Sequence, residues 1–249
     1  DNTYLYLGTD NGILVYNYRT DKYEQPDTDF PTDVRTMVLQ GDTLWIGSLN
    51  GLYTYQLKSR QLNHFDSKQT GLPHNTIYSI IHTKDNQIYI GTYNGLCRYV
   101  QASGKFENIL LPVNRGGSNL FVNSLLEDAA RQCIWIGMEG YLFQYNPTTG
   151  EMKAIEVFHN NSIKSLALDG DENLLAGTDN GLYVYQNDKE PLQHIIHDSR
   201  NIQSLTNNII WNIFSDQEHN IWLGTDYGIS LSRYNSALQF VPISQITGT

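Results

Sequence analysis

The chain has 249 residues, with 16 Lys+Arg against 26 Asp+Glu and a formal net charge of −10. That balance argues against nucleic acid as the main partner, since phosphate neutralisation needs clustered basic residues, and no apolar run approaches the roughly 18 residues of a membrane-spanning helix. A 40% hydrophobic and 12% aromatic content excludes disorder, while 17 Tyr and 20 Gly suit short strands and tight turns better than helices.

The chain opens at Asp1 with no initiator Met, basic n-region or apolar signal region, as a mature secreted fragment or a piece of a longer protein would. Its first predicted strand, Tyr4-Leu5-Tyr6-Leu7-Gly8-Thr9, then recurs five times. The later copies are Leu44-Trp45-Ile46-Gly47-Ser48, Ile88-Tyr89-Ile90-Gly91-Thr92, Ile134-Trp135-Ile136-Gly137-Met138, Leu174-Leu175-Ala176-Gly177-Thr178 and Ile221-Trp222-Leu223-Gly224-Thr225. The anchor glycines repeat every 43 residues or so, a period typical of propeller blades of about 40–50 residues.

After most anchors comes a hairpin signal such as Asn50-Gly51, Asn94-Gly95 or Asn180-Gly181, which predicts a type I′ turn with two positive-φ residues. The fourth copy reads Glu139-Gly140, so a different turn is expected there. An alternating strand follows, ending in Tyr16, Tyr55, Tyr99, Tyr145 or Tyr185, each eight residues past its anchor. In the last copy Tyr234 is two residues late, which predicts a bulge or a longer turn. A further strand precedes every anchor except the first, as in Ile77-Tyr78-Ser79-Ile80-Ile81, and an outer strand follows the Tyr strand, as in Leu62-Asn63-His64-Phe65.

Helical repeats of this length would need a 3.6-residue apolar period and few glycines, and a β-sandwich would not repeat one glycine register six times. The chain therefore reads as all-β, a β-propeller of four-stranded antiparallel blades. It forms one domain over 1–249, with blades at roughly 1–30, 31–70, 71–112, 113–158, 159–200 and 201–245. Six copies of the last three strands against five of the first suit part of a seven-bladed ring whose missing strands lie outside the chain.

The stretch Asn75-Thr76-Ile77-Tyr78-Ser79-Ile80, continuing to Ile88-Tyr89-Ile90-Gly91-Thr92-Tyr93-Asn94-Gly95-Leu96-Cys97-Arg98-Tyr99, resembles the two-component regulator propeller repeat, as does Asn208 to Gly228. The lead-in Gly71-Leu72-Pro73-His74-Asn75 is similar to the loop before such repeats. The resemblance implies the periplasmic sensor region of a hybrid two-component histidine kinase, many of which detect oligosaccharides. On that implication the chain is a non-catalytic input module. Its partner is an oligosaccharide, with homodimerisation through the parent sensor a further option and no membrane contact by this segment.

Chemical motifs are sparse. Asp169-Gly170-Asp171-Glu172-Asn173 begins like a calcium loop, but Leu174 and Asn180 occupy the positions that need Gly and Glu, so a solvated turn is expected. None of the seven His forms a close zinc-type pair, and no nucleophile-elbow pattern is present, so no metal, cofactor or catalytic residue is assigned. A propeller lyase stays open as an alternative, as does an interaction scaffold.

Positions that vary in one register are where a site can be built. The second residue of the first strand reads Arg35, Tyr78, Asn123, Lys164 and Trp211. Loops opening at the same end carry His74, Arg115, Asn119 and Arg200. Aromatic faces beside Arg and Asn groups suit a sugar, whose C–H faces stack while its hydroxyls are hydrogen-bonded. The structural alternative is that Trp211 and Tyr78 pack between blades.

Overall fold

The computed structural model describes residues 3–24, 29–113, 120–155, 161–186, 193–234 and 238–243. The chain divides into two compact units, Asp1–Val122 and Asn123–Thr249. In the first, β1 (Tyr4–Thr9), β2 (Gly12–Asn17) and β3 (Lys22–Glu24) make a three-stranded sheet. Next come β4 (Val34–Gln40), β5 (Thr43–Ser48), β6 (Gly51–Gln56) and β7 (Leu62–Phe65), then the one-turn helix α1 (Ser67–Thr70). The strands β8 (Ile77–His82), β9 (Ile88–Thr92), β10 (Gly95–Val100) and β11 (Lys105–Ile109) complete the unit's sheets.

The second unit holds three sheets. They are β12 (Val122–Asp128) to β15 (Met152–Ala154) through β13 (Cys133–Met138) and β14 (Tyr141–Tyr145); β16 (Ile163–Leu168) to β19 (Gln193–Ile195) through β17 (Leu174–Thr178) and β18 (Gly181–Tyr185); and β20 (Ile210–Ser215) to β23 (Val241–Pro242) through β21 (Ile221–Thr225) and β22 (Gly228–Ser232). Every sheet is an antiparallel meander paired in chain order, the blade of a β-propeller. Among the described residues the first blade lacks the strand that the sequence also lacks.

The anchor glycine exists because the next blade needs its space. A Cβ on Gly47 would lie 2.6 Å from Ile77 Cγ2, and one on Gly8 2.6 Å from Val34 Cγ1. In the second unit, Gly137 and Gly177 receive Ile163 and Ile210 in the same way. These β-branched knobs open the following first strand, and Ile77, Ile163 and Ile210 are fully buried. Such burial contributes roughly 1.5–3 kcal/mol per side chain, and glycine lets the strands approach closely enough to gain it. A serine two residues on ties its first strand to the next first strand: Ser79 Oγ donates to Val122 O, and Ser165 Oγ accepts from Ile213 N at 2.9 Å.

The hairpin turns differ from the sequence expectation. The ladder pairs Ser48 with Gly51, Thr92 with Gly95 and Thr178 with Gly181, so the loop is the two residues before each glycine. The positive φ falls on the glycine, 119° at Gly95, and not on the preceding Asn. With no positive φ at either loop residue, this is not an Asn-Gly type I′ turn.

The residue after the anchor explains why. Thr92 Oγ1 accepts from Asn94 N at 3.1 Å and donates to Gly95 O at 2.9 Å, and Thr9, Ser48, Thr178 and Thr225 repeat both bonds. The hydroxyl fixes the turn from the strand side. Met138 has none, and the turn there places Gly140 at φ 81° with its N–H on Asn161 O. Thr92→Val, isosteric but without the hydroxyl, should cost about 1–2 kcal/mol, read as a lower urea midpoint at unchanged slope.

The other departure is in the last blade. The ladder between β21 and β22 runs without a register shift, so the late Tyr234 lies beyond β22 and reflects neither a bulge nor a longer turn. Asp169 behaves as expected of a solvated turn, its carboxylate accepting from Asp171 N, Asn173 N and Asn173 Nδ2. Cys97 and Cys133 are buried free thiols, and burial pushes both up from the ordinary thiol range.

Candidate ligand-binding surface

The varied column at the second residue of the first strand has a structural cause. The β4–β5, β8–β9, β16–β17 and β20–β21 ladders each shift register at that residue, skipping Arg35, Tyr78, Lys164 and Trp211. A bulge leaves its extra residue unpaired and re-aims the side chain. The knob before it fills the glycine socket, so the bulged residue is released from packing and can vary.

In the first unit the bulge residues meet a ring cluster. Tyr78 lies edge-on to Phe121 at 6.1 Å, Phe121 edge-on to Tyr93 at 4.2 Å, and Tyr93 4.9 Å from His74. His74 Nδ1 accepts from Thr76 N at 3.0 Å, which fixes the ring and leaves its proton on Nε2. Burial and the neighbouring Tyr93 raise the Tyr78 phenol, while the charge of exposed Arg35 opposes them. Tyr78 and His74 therefore flank Tyr93 and Phe121, and the charge of Arg35 reaches Tyr78.

In the second unit, Lys164 Nζ lies 4.4 Å from the centre of the Trp211 ring, a cation–π contact. The Trp211 indole N–H donates to Asp226, and 56% of the residue remains exposed. Asn123 Nδ2 donates to Ile163 O, next to Lys164, at 3.1 Å. Asn123, Lys164 and Trp211 thus follow one another along three consecutive first strands.

The loop residues fare differently. Arg200 pairs with Asp198 of its own loop, Nε to Oδ1 at 3.1 Å, and those hydrogen bonds hold the Asp198 carboxyl below its usual range. Its partner is thus local, and it is not brought to Lys164 or Trp211. Arg115 and Asn119 lie outside the described residues.

Three residues were missed from sequence: Tyr93, Phe121 and Asp226. Tyr93 and Asp226 are the first loop residues of their turns, and Phe121 directly precedes a knob. Both columns vary in type between copies, as the bulge column does. Among the described residues no group of three or more His, Cys, Asp or Glu could hold a metal ion, and no helix is long and apolar enough to cross a membrane.

The family described as two component regulator propeller matches residues 71–94 and 204–227, which hold Tyr78 with Tyr93 and Trp211 with Asp226. The chain carries two-component regulator propeller repeats. Over all of its length it is 81% identical to the extracellular domain of BT4673 from B. thetaiotaomicron, named both as a one component and as a hybrid two component system. The TM-score is 0.92, and the chain spans 34% of that structure. The extracellular domain of BT3049 from the same organism shares the fold, with a TM-score of 0.76 at 22% identity, covering 92% of this chain and 32% of that one. A curated relative, Histidine kinase P4 of Formosa agariphila, is 27% identical over 212 residues, 78% of this chain but 15% of the relative. The chain therefore spans a small part of the relatives it matches.

Proposed function

We propose that this chain is a non-catalytic part of the extracytoplasmic, periplasmic sensor region of a hybrid two-component protein. It binds an oligosaccharide and passes the signal to a kinase elsewhere in the parent polypeptide. The observation that carries the reading is Trp211: a large, half-exposed indole set on a bulge, oriented by Asp226 and braced by Lys164. An oriented, exposed aromatic face with cationic and amide neighbours suits a sugar ring. The similarity to extracellular domains of two-component systems supports the sensor role. Signalling then follows from differential affinity of the ligand for two arrangements of the sensor, with no reaction required.

Calorimetry of the chain against a panel of oligosaccharides tests this. Trp211→Ala is expected to weaken binding about tenfold or more, the effect of removing an aromatic anchor. Binding that is unchanged by Trp211→Ala, Tyr78→Ala and Arg35→Ala would remove the site assignment. Turnover of a panel member would favour the lyase alternative.

A further inference from the structure

A cleft of about 430 Å³ lies between the β4–β7 and β8–β11 sheets, at the opposite end of β4 from Arg35. That volume is within the roughly 300–1,000 Å³ of small-molecule sites. One wall is aromatic: Trp45 stacks near-parallel with Phe65 at 6.1 Å, and Tyr99 meets the Trp45 ring edge-on at 4.8 Å. The polar lining is dominated by carboxamides, those of Gln40, Gln56, Asn63, Asn86, Gln87 and Gln101. Several are oriented: Gln40 Oε1 accepts from Trp45 Nε1 at 3.0 Å, Gln40 Nε2 donates to Asn86 Oδ1 at 2.9 Å, and Gln56 Nε2 donates to Thr43 Oγ1 at 2.9 Å. The charged group in the lining is Arg98, which is paired with Glu107 at 2.7 Å.

The corresponding groove in the second unit, between the β16–β19 and β20–β23 sheets, is smaller at about 240 Å³ and is lined by Asp169 and Asp171. There Tyr234 lies over Gly170 so closely that a Cβ on that glycine would be 2.6 Å from the Tyr234 ring. Tyr234 stands ten residues past its anchor glycine, and Gln101 stands at the same offset from Gly91. The groove thus recurs with the repeat, narrowed by a tyrosine in one copy and left wider in the other.

We infer that the open cleft is a second ligand site, for a neutral, hydroxyl-rich ligand of the sugar class. Carboxamides both donate to and accept from hydroxyls, the half-buried Phe65 and Tyr99 rings meet C–H faces, and the one guanidinium in the lining, Arg98, is already neutralised by Glu107. The site is separate from the Trp211 surface and does not rest on it.

The test is a titration of ¹⁵N-labelled protein, following the Trp45 indole N–H signal with maltose, cellobiose, lactose and xylobiose, and with digalacturonate as a charged control. At least one neutral disaccharide should shift the signal saturably in the millimolar range. Gln101→Tyr, at an exposed position, should abolish the shift by narrowing the cleft as Tyr234 narrows the other groove, and Asn63→Ala should weaken it several-fold. Trp211→Ala should leave it intact. The inference is overturned by no saturable shift from any neutral disaccharide, by a shift that survives Gln101→Tyr, by one lost in Trp211→Ala, or by binding of the charged control only.

Discussion

Gly91→Ala is expected to destabilise the first unit by about 3 kcal/mol, whereas the same change at Gly224 should be neutral or slightly stabilising. A Cβ on Gly91 would lie 2.3 Å from Ser79 Oγ, 2.6 Å from Val122 Cγ1 and 2.7 Å from Val122 O. At Gly47 and Gly177 every contact is a side-chain carbon and the nearest are methyls; at Gly91 one contact is backbone, which cannot yield without moving a strand. The Ser79–Val122 hydrogen bond would also be displaced, adding about 1 kcal/mol to the strain. At Gly224 the nearest atom to an added Cβ is Asn212 Cβ at 3.9 Å, an ordinary contact. An alanine in that strand then restricts only the unfolded chain, a gain of about 0.5–1 kcal/mol. Urea midpoints of the two variants decide the matter: equal losses would mean that the glycines answer a strand requirement and not a socket.

This contrast shows why so much of the fold was legible. A socket that admits no side chain leaves one residue type available, so the glycine register is plain in five copies, and Gly224 keeps it without a socket. The knob column is almost as plain, since Val34, Ile77, Val122, Ile163 and Ile210 are all β-branched. Turn type was not legible, because Asn94-Gly95 fits two turn geometries, and what decides between them is the hydroxyl of Thr92. The bulge column at Arg35, Tyr78, Lys164 and Trp211 was visible as variation, but its partners were not. Tyr93 and Asp226 reach the bulge cluster across a hairpin, and Phe121 reaches Tyr78 from beside the next knob, Val122, contacts that spacing does not give. The local pairing of Arg200 with Asp198 belongs to a loop whose path no periodicity sets.

A second set of contacts was hidden by variable turn length. The indole of Trp45 donates to Gln40, that of Trp135 to Asp128 and that of Trp222 to Asp216, at separations of five, seven and six residues. The same anchor-strand tryptophan thus finds an acceptor near the end of the first strand in three blades. Hydrogen bonds from Trp222, from the Asn220 side chain and from turn N–H groups hold Asp216 down at about 2, so this acceptor is ionised throughout the physiological range.

Asp128 is the acceptor whose loss should matter most. Its side chain is fully buried, and it accepts from Trp135 Nε1 at 3.0 Å, Arg131 N at 3.0 Å and the Arg131 guanidinium at 2.6 Å. Burial pushes its carboxyl up, but the bonds from Trp135 and Arg131 and the Arg131 charge outweigh this and hold it below the usual carboxylate range. Asp128→Ala strips the buried indole N–H of its acceptor and leaves the guanidinium with the Glu172 carbonyl alone. The cost should be about 3 kcal/mol, the low end for a broken buried pair because Arg131 is 26% exposed and can rehydrate.

The pH dependence has a fixed sign. With the folded value depressed, the stabilisation from Asp128 is fully present above the unfolded carboxyl value of about 3.9 and is lost as pH falls through the lower folded value. The stability gap between the wild-type chain and Asp128→Asn, which keeps the shape without the charge, should therefore narrow as pH falls from about 5 to about 2. Thermal midpoints of both proteins across that range read the gap directly. A gap independent of pH would show that the carboxylate acts through shape and its neutral hydrogen bonds, and that the ion pair with Arg131 contributes nothing to holding Trp135 in the core.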